Sequence, residues 1–298
     1  MQQSRLVFHE EIRKNKFYSI LMISIVFIVL IALGYVIALA IGGDYFFFIL
    51  ILAIIISISY IVVSYYKSDK IAVASVNAKR VHADNPDYRQ YHHLVEGIAL
   101  ASGLPKPKLY IMESPQINAF ASGRDPDHAV ICFTTGALEK LDKTELEGVI
   151  AHELSHVANY DIRFMTLTAV LVGMIAIISQ IFLRSLFFRS IGGGNRKDNS
   201  NAVFMVIGIA LAILAPIIVA LVQLAISRKR EYNADASAVK FMRTPTGLIH
   251  ALQKIKNNQE MKVAGAVAPL FIAQPTKQKE IFMTHPPLDK RIDRLRRM

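Results

Sequence analysis

Long runs of apolar residues alternate along this chain with segments in which apolar and polar positions are mixed. Four runs contain no charged residue and reach the length of about 20 helical residues that a bilayer requires. They lie at 17–41, 45–66, 164–183 and 202–226. A soluble domain can bury one such run as a core helix, but several of this length are typical of membrane proteins. The pattern predicts a mainly helical integral membrane protein with about four transmembrane helices.

The first two runs predict a retained transmembrane hairpin. A basic N-terminal region followed by an apolar run also describes a secretory signal peptide, whose apolar core has about 7–15 residues. The run at 17–41 is longer than that, and the run at 45–66 follows after only three residues. We therefore expect both runs to stay in the mature protein.

Composition supports a membrane location and limits the partners. The chain is 53% hydrophobic with a mean hydropathy of +0.37, which is too apolar for an ordinary soluble domain. Many of the basic residues behind its net charge of +11 flank the apolar runs, where anionic lipid headgroups account for them. We expect a lipid bilayer as partner and no nucleic acid. The lone Cys132 cannot form an internal disulfide, so nothing requires an oxidising compartment.

Positive charges predict the orientation of the first hairpin. Basic residues precede the first run and follow the second, whereas the connection at 42–44 has none. The flanking residues are Arg5, Arg13, Lys14, Lys16, Lys67, Lys70, Lys79 and Arg80. By the positive-inside rule, both flanks are cytoplasmic. The connection between the third and fourth runs is also basic, so either the first hairpin dominates orientation or the second pair does not span fully.

The segments outside the apolar runs predict an α+β fold with a small sheet. We divide the chain into 1–66, 67–163, 164–226 and 227–298, in which the second and fourth parts form one soluble domain. Its pattern predicts a helix at 91–102, strands at 108–112 and 129–133, and the start of a helix at 134–141.

A further strand is predicted at 115–123, ahead of a turn at 125–127. An edge strand here could hold an extended peptide by strand addition. A simple hairpin tip explains the same pattern, and both interpretations stay open at this point.

The candidate chemistry begins with the pentapeptide at 152–156, which reads H-E-x-x-H. Residues four apart share one face of a helix, so His152 and His156 can bind one zinc ion through ring nitrogens. Glu153 is then placed to take a proton from water at that ion. Thr144 and Glu147, three residues apart, give a capping-box-like start to the predicted helix.

A catalytic zinc needs a third protein ligand and one open position. The metzincin pattern would require glycine and histidine where Asn159 and Ile162 stand. Asp161 could be a carboxylate ligand, but a solvated residue at the end of the helix is the favoured interpretation.

Glu231 and Asp235 lie four apart on another predicted helix and form the better pair. Glu231 can bind the metal while Asp235 accepts the second N–H of a liganding histidine. The spacing supports this pair. His156 precedes the third apolar run by eight residues, and Glu231 follows the fourth by five. A helical hairpin returns both to within about 12 Å of one membrane face.

Six features taken together resemble the HtpX-type membrane zinc metalloproteases, which are related to the CAAX prenyl proteases. They are the N-terminal apolar hairpin, Asn118-Ala119-Phe120, the H-E-x-x-H, the apolar insertion, Glu231-Tyr232-Asn233-Ala234-Asp235 and Thr284-His285-Pro286-Pro287. The resemblance implies a gluzincin-like metalloprotease domain with one Zn²⁺ per chain. It implies His152, His156 and Glu231 as ligands and Glu153 as catalytic base, with Asn118, Ala119 and Phe120 in the substrate-binding edge.

The resemblance also implies a location and a role. It implies a multi-pass protein of the bacterial inner (plasma) membrane whose site faces the cytoplasm. Such a protein degrades misfolded or damaged membrane proteins under stress and can cleave itself. His285 has two interpretations. It could approach the site and stabilise the transition state, or it could belong to the turn that leads into the helix after Pro287.

We therefore predict a zinc-dependent membrane endopeptidase. A CAAX-type processing peptidase shares the motifs but typically has more membrane helices around a large chamber. A non-catalytic membrane scaffold would need no metal ligands. A transporter would be expected to carry ionisable groups inside its membrane segments, and the four apolar runs have none.

Overall fold

The computed structural model describes residues 2–41, 43–169, 228–257, 270–272 and 286–298. We label the helices and strands of these ranges in chain order. They are α1 Gln2–Ile41, α2 Phe46–Tyr66, α3 Ser68–Ser75, β1 Lys79–Arg80, α4 Arg89–Ser102, β2 Lys108–Met112, β3 Ala119–Ser122, β4 Val130–Thr134, α5 Thr135–Lys140, α6 Lys143–Ala158, α7 161–169 as far as it is described, α8 Arg228–Met242, α9 Thr246–Lys256 and α10 Leu288–Leu295. Short 3₁₀ turns lie at Gly43–Tyr45, Pro86–Tyr88 and Pro126–His128.

Helices α1 and α2 form the predicted N-terminal hairpin. Their segments Ile12–Ala32 and Phe46–Tyr66 are long and apolar enough to cross a membrane, and few residues of the second are buried within the protein. The helices approach closely at Gly34, where a Cβ atom would lie 2.3 Å from Ala53 Cβ. Small residues at such crossings are typical of packed membrane helices. Apart from 164–169, the predicted third and fourth transmembrane segments lie outside the described residues.

The part of the chain after α2 contains the predicted small sheet, in the order β1-β2-β4-β3. Strands β2 and β4 are parallel, and the other two pairs are antiparallel. The prediction for β2 is confirmed, β4 begins one residue later than predicted, and the strand expected at 115–123 shortens to β3 at the sheet edge. The described chain is thus mostly helical with a small mixed sheet, which agrees with the α+β prediction.

Helix α6 lies at the centre of this part and packs against α4, α8, α9 and β3. Nearly every residue from Glu145 to Ala158 is buried. It begins with a capping box in which the Asp142 carboxylate accepts from the Glu145 N–H at 2.9 Å and Glu145 Oε2 accepts from the Asp142 N–H at 2.8 Å. The predicted Thr144–Glu147 box is therefore wrong by two residues.

The crossing of α6 and α9 fixes the position of α6 because backbone meets backbone there. A Cβ atom at Gly148 would lie 2.4 Å from the Leu248 nitrogen, and one at Gly247 would lie 2.2 Å from the Thr144 carbonyl oxygen. A side chain at either glycine would therefore force the two helices apart.

We predict that Gly148→Ala lowers the Tm of the detergent-purified protein, by the equivalent of about 1–3 kcal/mol of overpacking. The matched control is Gly97→Ala on α4, where a Cβ would meet nothing within 4 Å. Alanine there should stabilise slightly, because it has the higher helix propensity. Equal Tm changes in the two variants would contradict the close crossing.

Candidate metal centre

Three side chains from two helices converge on one buried point. His152 and His156 lie on α6 and Glu231 on α8, and one ligand atom from each falls within 4.8 Å of the others. His152 Nε2 is 3.6 Å from Glu231 Oε2, and His156 Nε2 is 3.5 Å from Glu231 Oε1. Ligands bound tetrahedrally about 2.1 Å from one zinc ion are about 3.4 Å apart. The predicted ligand set is therefore brought together at separations that fit such an ion.

Each histidine turns its other ring nitrogen toward a carboxylate. His152 Nδ1 lies 3.0 Å from Asp235 Oδ1, and His156 Nδ1 lies 3.1 Å from Asp161 Oδ2. An ionised carboxylate only accepts hydrogen bonds, so each contact favours a proton on Nδ1, which is the tautomer whose Nε2 can bind a metal. The structure places Asp235 where the sequence analysis expected it.

The favoured interpretation of Asp161 as a solvated residue is wrong. Asp161 is buried, and it contacts the Nδ1 atom of His156, the ring nitrogen that does not face Glu231. The reason is a tight turn after α6, in which Tyr160 adopts a left-handed backbone with φ of 58°. That turn starts α7 at once and places its first carboxylate beside the preceding histidine.

Arg291 on α10 is a site residue that the sequence analysis missed. Its side chain is fully buried and binds Asp235 through two hydrogen bonds, from Nη2 at 2.6 Å and from Nε at 2.9 Å. Nη1 lies 3.3 Å from Glu231 Oε2, and Nη2 lies 3.2 Å from His152 Nε2. The sequence did contain a signal for this burial. Arg291 lies beside Ile292 and four residues before Leu295, so helical spacing places it on the apolar face of α10, which is the buried face.

The position of Arg291 gives the basic C-terminal helix a role that its composition did not suggest. A fully buried guanidinium needs carboxylate partners to offset its desolvation. Burial would lower its pKa, but the charges of Asp235 and Glu231 outweigh this and raise it. The cation is therefore permanent. His285, three residues before α10, lies outside the described residues.

Glu153 is buried beside the cluster. Its Oε1 atom has no hydrogen-bond partner among the described residues. Burial raises the pKa of this carboxyl. The charges of both motif histidines and a backbone hydrogen bond from Ala121 lower it by less, so the pKa stays above its ordinary value. A buried acceptor with a free lone pair fits a group that receives a proton from water or substrate.

Strand β3 lies at the edge of the sheet and contacts α6. Asn118 directly precedes it, Ala119 and Phe120 begin it, and all three are buried. The Thr134 N–H donates to the Asn118 carbonyl oxygen, so the alternate residues Ala119 and Ala121 direct their backbone groups outward. The strand is therefore an edge strand and also one arm of a hairpin.

The outer edge of β3 is partly occupied by the chain itself. The Ile272 N–H donates to the Ala119 carbonyl oxygen at 3.0 Å, and the Phe271 ring packs 5.0 Å from the Phe120 ring. The Ile272 carbonyl oxygen in turn accepts from Arg291 Nη1 at 3.3 Å. The segment 270–272 thus lies against the first residue of the β3 edge.

Comparison with known proteins identifies the family of this chain. The family model "Peptidase family M48" matches residues 86–298. A "Protease HtpX homolog" of Caldanaerobacter subterraneus subsp. tengcongensis is 48% identical over 240 residues, covering 78% of this chain and 79% of that protein. One of Streptococcus agalactiae is 40% identical over 297 residues, covering 97% and 99%. The crystal structure of S. mikatae Ste24p is 21% identical with a TM-score of 0.45, covering 85% of this chain and 58% of that one.

Fold and site together define a membrane metalloprotease in which two histidines of one helix and a carboxylate of another form a candidate metal site. The chain belongs to peptidase family M48 and, within it, to the HtpX-type proteases. The resemblance drawn from the sequence motifs is thereby confirmed.

The charge of the metal-free site predicts a proton release on metal binding. Burial would lower the pKa of His156, but the hydrogen bond to Asp161 and the charge of Glu231 outweigh it and raise the pKa to about 9. Burial and the charge of Arg291 would lower the pKa of His152, but its contacts with Asp235 and Glu231 outweigh them and raise it as well. A metal that binds below these pKa values must displace protons, so the zinc affinity should rise by at least about tenfold per pH unit below pH 9. Chelator competition across pH measures this. A constant affinity below pH 8 would contradict the raised pKa.

We predict that Arg291→Met lowers the free energy of unfolding by about 3–5 kcal/mol, because it leaves two carboxylates without their cation. Arg291→Lys should recover little, since an ammonium cannot form the two parallel hydrogen bonds to Asp235. Arg297→Met, an exposed change at the end of the chain, is the control. Thermal unfolding in detergent compares the three, and equal Tm values would refute the role of Arg291.

Proposed function

We propose that this protein is a zinc-dependent endopeptidase of the bacterial inner membrane that hydrolyses peptide bonds in misfolded or damaged membrane proteins. The observation that carries the proposal is the converging set of His152, His156 and Glu231 with Glu153 buried beside it. Two histidines and one carboxylate are a common ligand set of catalytic zinc, and they leave a position for water or substrate.

The mechanism we propose has no covalent intermediate. When bound, zinc lowers the pKa of its water to about 7 and polarises the scissile carbonyl. Glu153 Oε1, which has no partner among the described residues, accepts the proton of the attacking water. The raised pKa of this carboxyl suits the second step, in which it gives the proton to the leaving amine.

The residues behind the ligands keep the site in shape during this cycle. Asp235 and Asp161 hold the Nδ1 protons of the two histidines, so that each Nε2 stays directed at the metal position. Arg291 binds Asp235 and lies against Glu231, so its positive charge offsets the repulsion between these two carboxylates. We assign it a positioning role.

Substrate would bind as an extended strand on the outer edge of β3. The Ala119 carbonyl oxygen already accepts a backbone hydrogen bond there from Ile272, so the edge can pair with an extended segment. A substrate strand would take the place of residues 270–272 and lie beside Glu153, which faces the Ala121 backbone. In this arrangement Asn118 aligns the edge by anchoring it to Thr134.

We propose that the site faces the cytoplasm and that the chain crosses the membrane more than twice. The exposed basic residues Arg13, Lys14 and Lys16 flank the start of the first apolar run, on the side where α1 meets the site. Their charge favours the cytoplasmic face.

The deciding experiment compares wild type with Glu153→Gln in detergent, with zinc content and cleavage of an unfolded protein measured on the same samples. The Glu153→Gln variant should keep its zinc, and its cleavage rate should fall by at least about 100-fold because an amide cannot accept the proton. Glu147→Gln is the matched control, since it makes the same change on α6 away from the metal position. Cleavage retained in Glu153→Gln would overturn the assignment, and wild type without zinc would overturn the proposed function.

A further inference from the structure

Asn15 is a buried amide in the first membrane helix, and the chemistry proposed above does not use it. It lies on α1 between the exposed Lys14 and Lys16, just before the first apolar run. Its Nδ2 atom donates to Asp161 Oδ1 at 2.7 Å and to the Asn159 carbonyl oxygen at 2.9 Å. Both of its donor hydrogens therefore go to the turn that joins α6 to α7.

Asp161 receives hydrogen bonds on both of its carboxylate oxygens. Its Oδ2 atom faces His156 Nδ1 at 3.1 Å, while its Oδ1 atom faces Asn15. Arg230 approaches the same Oδ1, but its Nε atom is 3.8 Å away, which is beyond hydrogen-bond distance. The short hydrogen bond from the Asn15 amide therefore restrains the rotation of this carboxylate about its Cβ–Cγ bond.

The helix that carries Asn15 is docked against α7 by an apolar cluster. Met22 and Val26 of α1 pack with Phe164 and Leu167 of α7, all of them buried. The Tyr18 ring lies 6.1 Å from the Phe164 ring. These apolar contacts hold α1 in place, and the Asn15 amide adds a polar contact between α1 and the metal centre.

Lys16 adds a second contact between α1 and the same turn. Its Nζ atom lies 4.6 Å from the centroid of the Tyr160 ring, in the range of a cation–π interaction. Tyr160 carries the left-handed backbone that aims Asp161 at His156. Adjacent residues of α1 thus hold both the turn and the carboxylate that follows it.

We propose that Asn15 is a positioning residue of the metal centre, which acts through Asp161 on His156 and so joins the docking of the first membrane helix to metal affinity. The inference rests on the proposed zinc site. Removing the amide lets the Asp161 carboxylate rotate, and His156 then loses the hydrogen bond that orients its Nε2. Changes in such outer contacts typically reduce metal affinity or activity by about 10–100-fold.

The test measures zinc affinity by chelator competition in the full-length protein in lipid nanodiscs. Asn15→Leu keeps the size of the side chain and removes its donors, so the affinity should fall by about 10–100-fold. Ser19→Ala is the matched control. Ser19 is also buried on α1, one turn away, and its hydroxyl donates to the Asn15 carbonyl oxygen within that helix. Its affinity should stay within about twofold of wild type.

A double-mutant cycle of Asn15 and Asp161 separates positioning from general destabilisation. If Asn15 acts through Asp161, then adding Asn15→Leu to Asp161→Ala should weaken zinc binding by less than about twofold. A merely structural role would give additive losses. The visible spectrum of the cobalt-substituted protein supplies a readout of ligand geometry, and its bands should shift in Asn15→Leu but not in Ser19→Ala.

The outcomes distinguish this inference from the proposed function. Wild type that binds no zinc would overturn both. Wild type that binds zinc while Asn15→Leu keeps its affinity and its cobalt spectrum would overturn the inference alone. Additive losses in the double variant would also overturn it, even if the single variant binds weakly.

Discussion

Burying several carboxylates around two histidines is the constraint on which the site depends. Like charges repel strongly where water is excluded, so the group is stable only with cations among it. The carboxylates belong to Glu153, Asp161, Glu231 and Asp235. Arg291 supplies a permanent charge on one side. Protonated histidine, as the raised pKa of His156 indicates, or a divalent ion supplies the balance on the other. The same charges that would disrupt an ordinary core therefore favour metal binding here.

The fold serves this constraint by fixing α6. The Asp142–Glu145 capping box sets its first turn, and the close backbone contact at Gly148 sets its position against α9. The left-handed backbone of Tyr160 then makes the turn that follows α6. Because the helix cannot slide or rotate, His152 and His156 keep their separation while partners arrive from elements distant in sequence. A rigid helix with ligands from a second helix is a precise way to hold a metal.

The first apolar helix and the candidate metal centre are neighbours in this structure. The first apolar helix packs on α7, whose first residue holds His156. The segment 270–272 on the β3 edge adds a local competitor for a substrate strand, because it uses the backbone acceptor at Ala119 that an extended peptide would use.

Local patterns predicted much of the described fold and the residues that converge on the candidate metal site. H-E-x-x-H at 152–156, Glu231 with Asp235, and the apolar hairpin each depend on helical spacing alone, and periodicity encodes that spacing directly. Strand β2 also followed from its local pattern. What spacing cannot encode is which distant side chains fill the space around a residue. Asp161 was interpreted as a solvated helix end, and neither Arg291 nor Asn15 was singled out from the sequence. Their burial comes from the packing of α1, α7 and α10 around α6, and only the tertiary structure decides which charges face each other there.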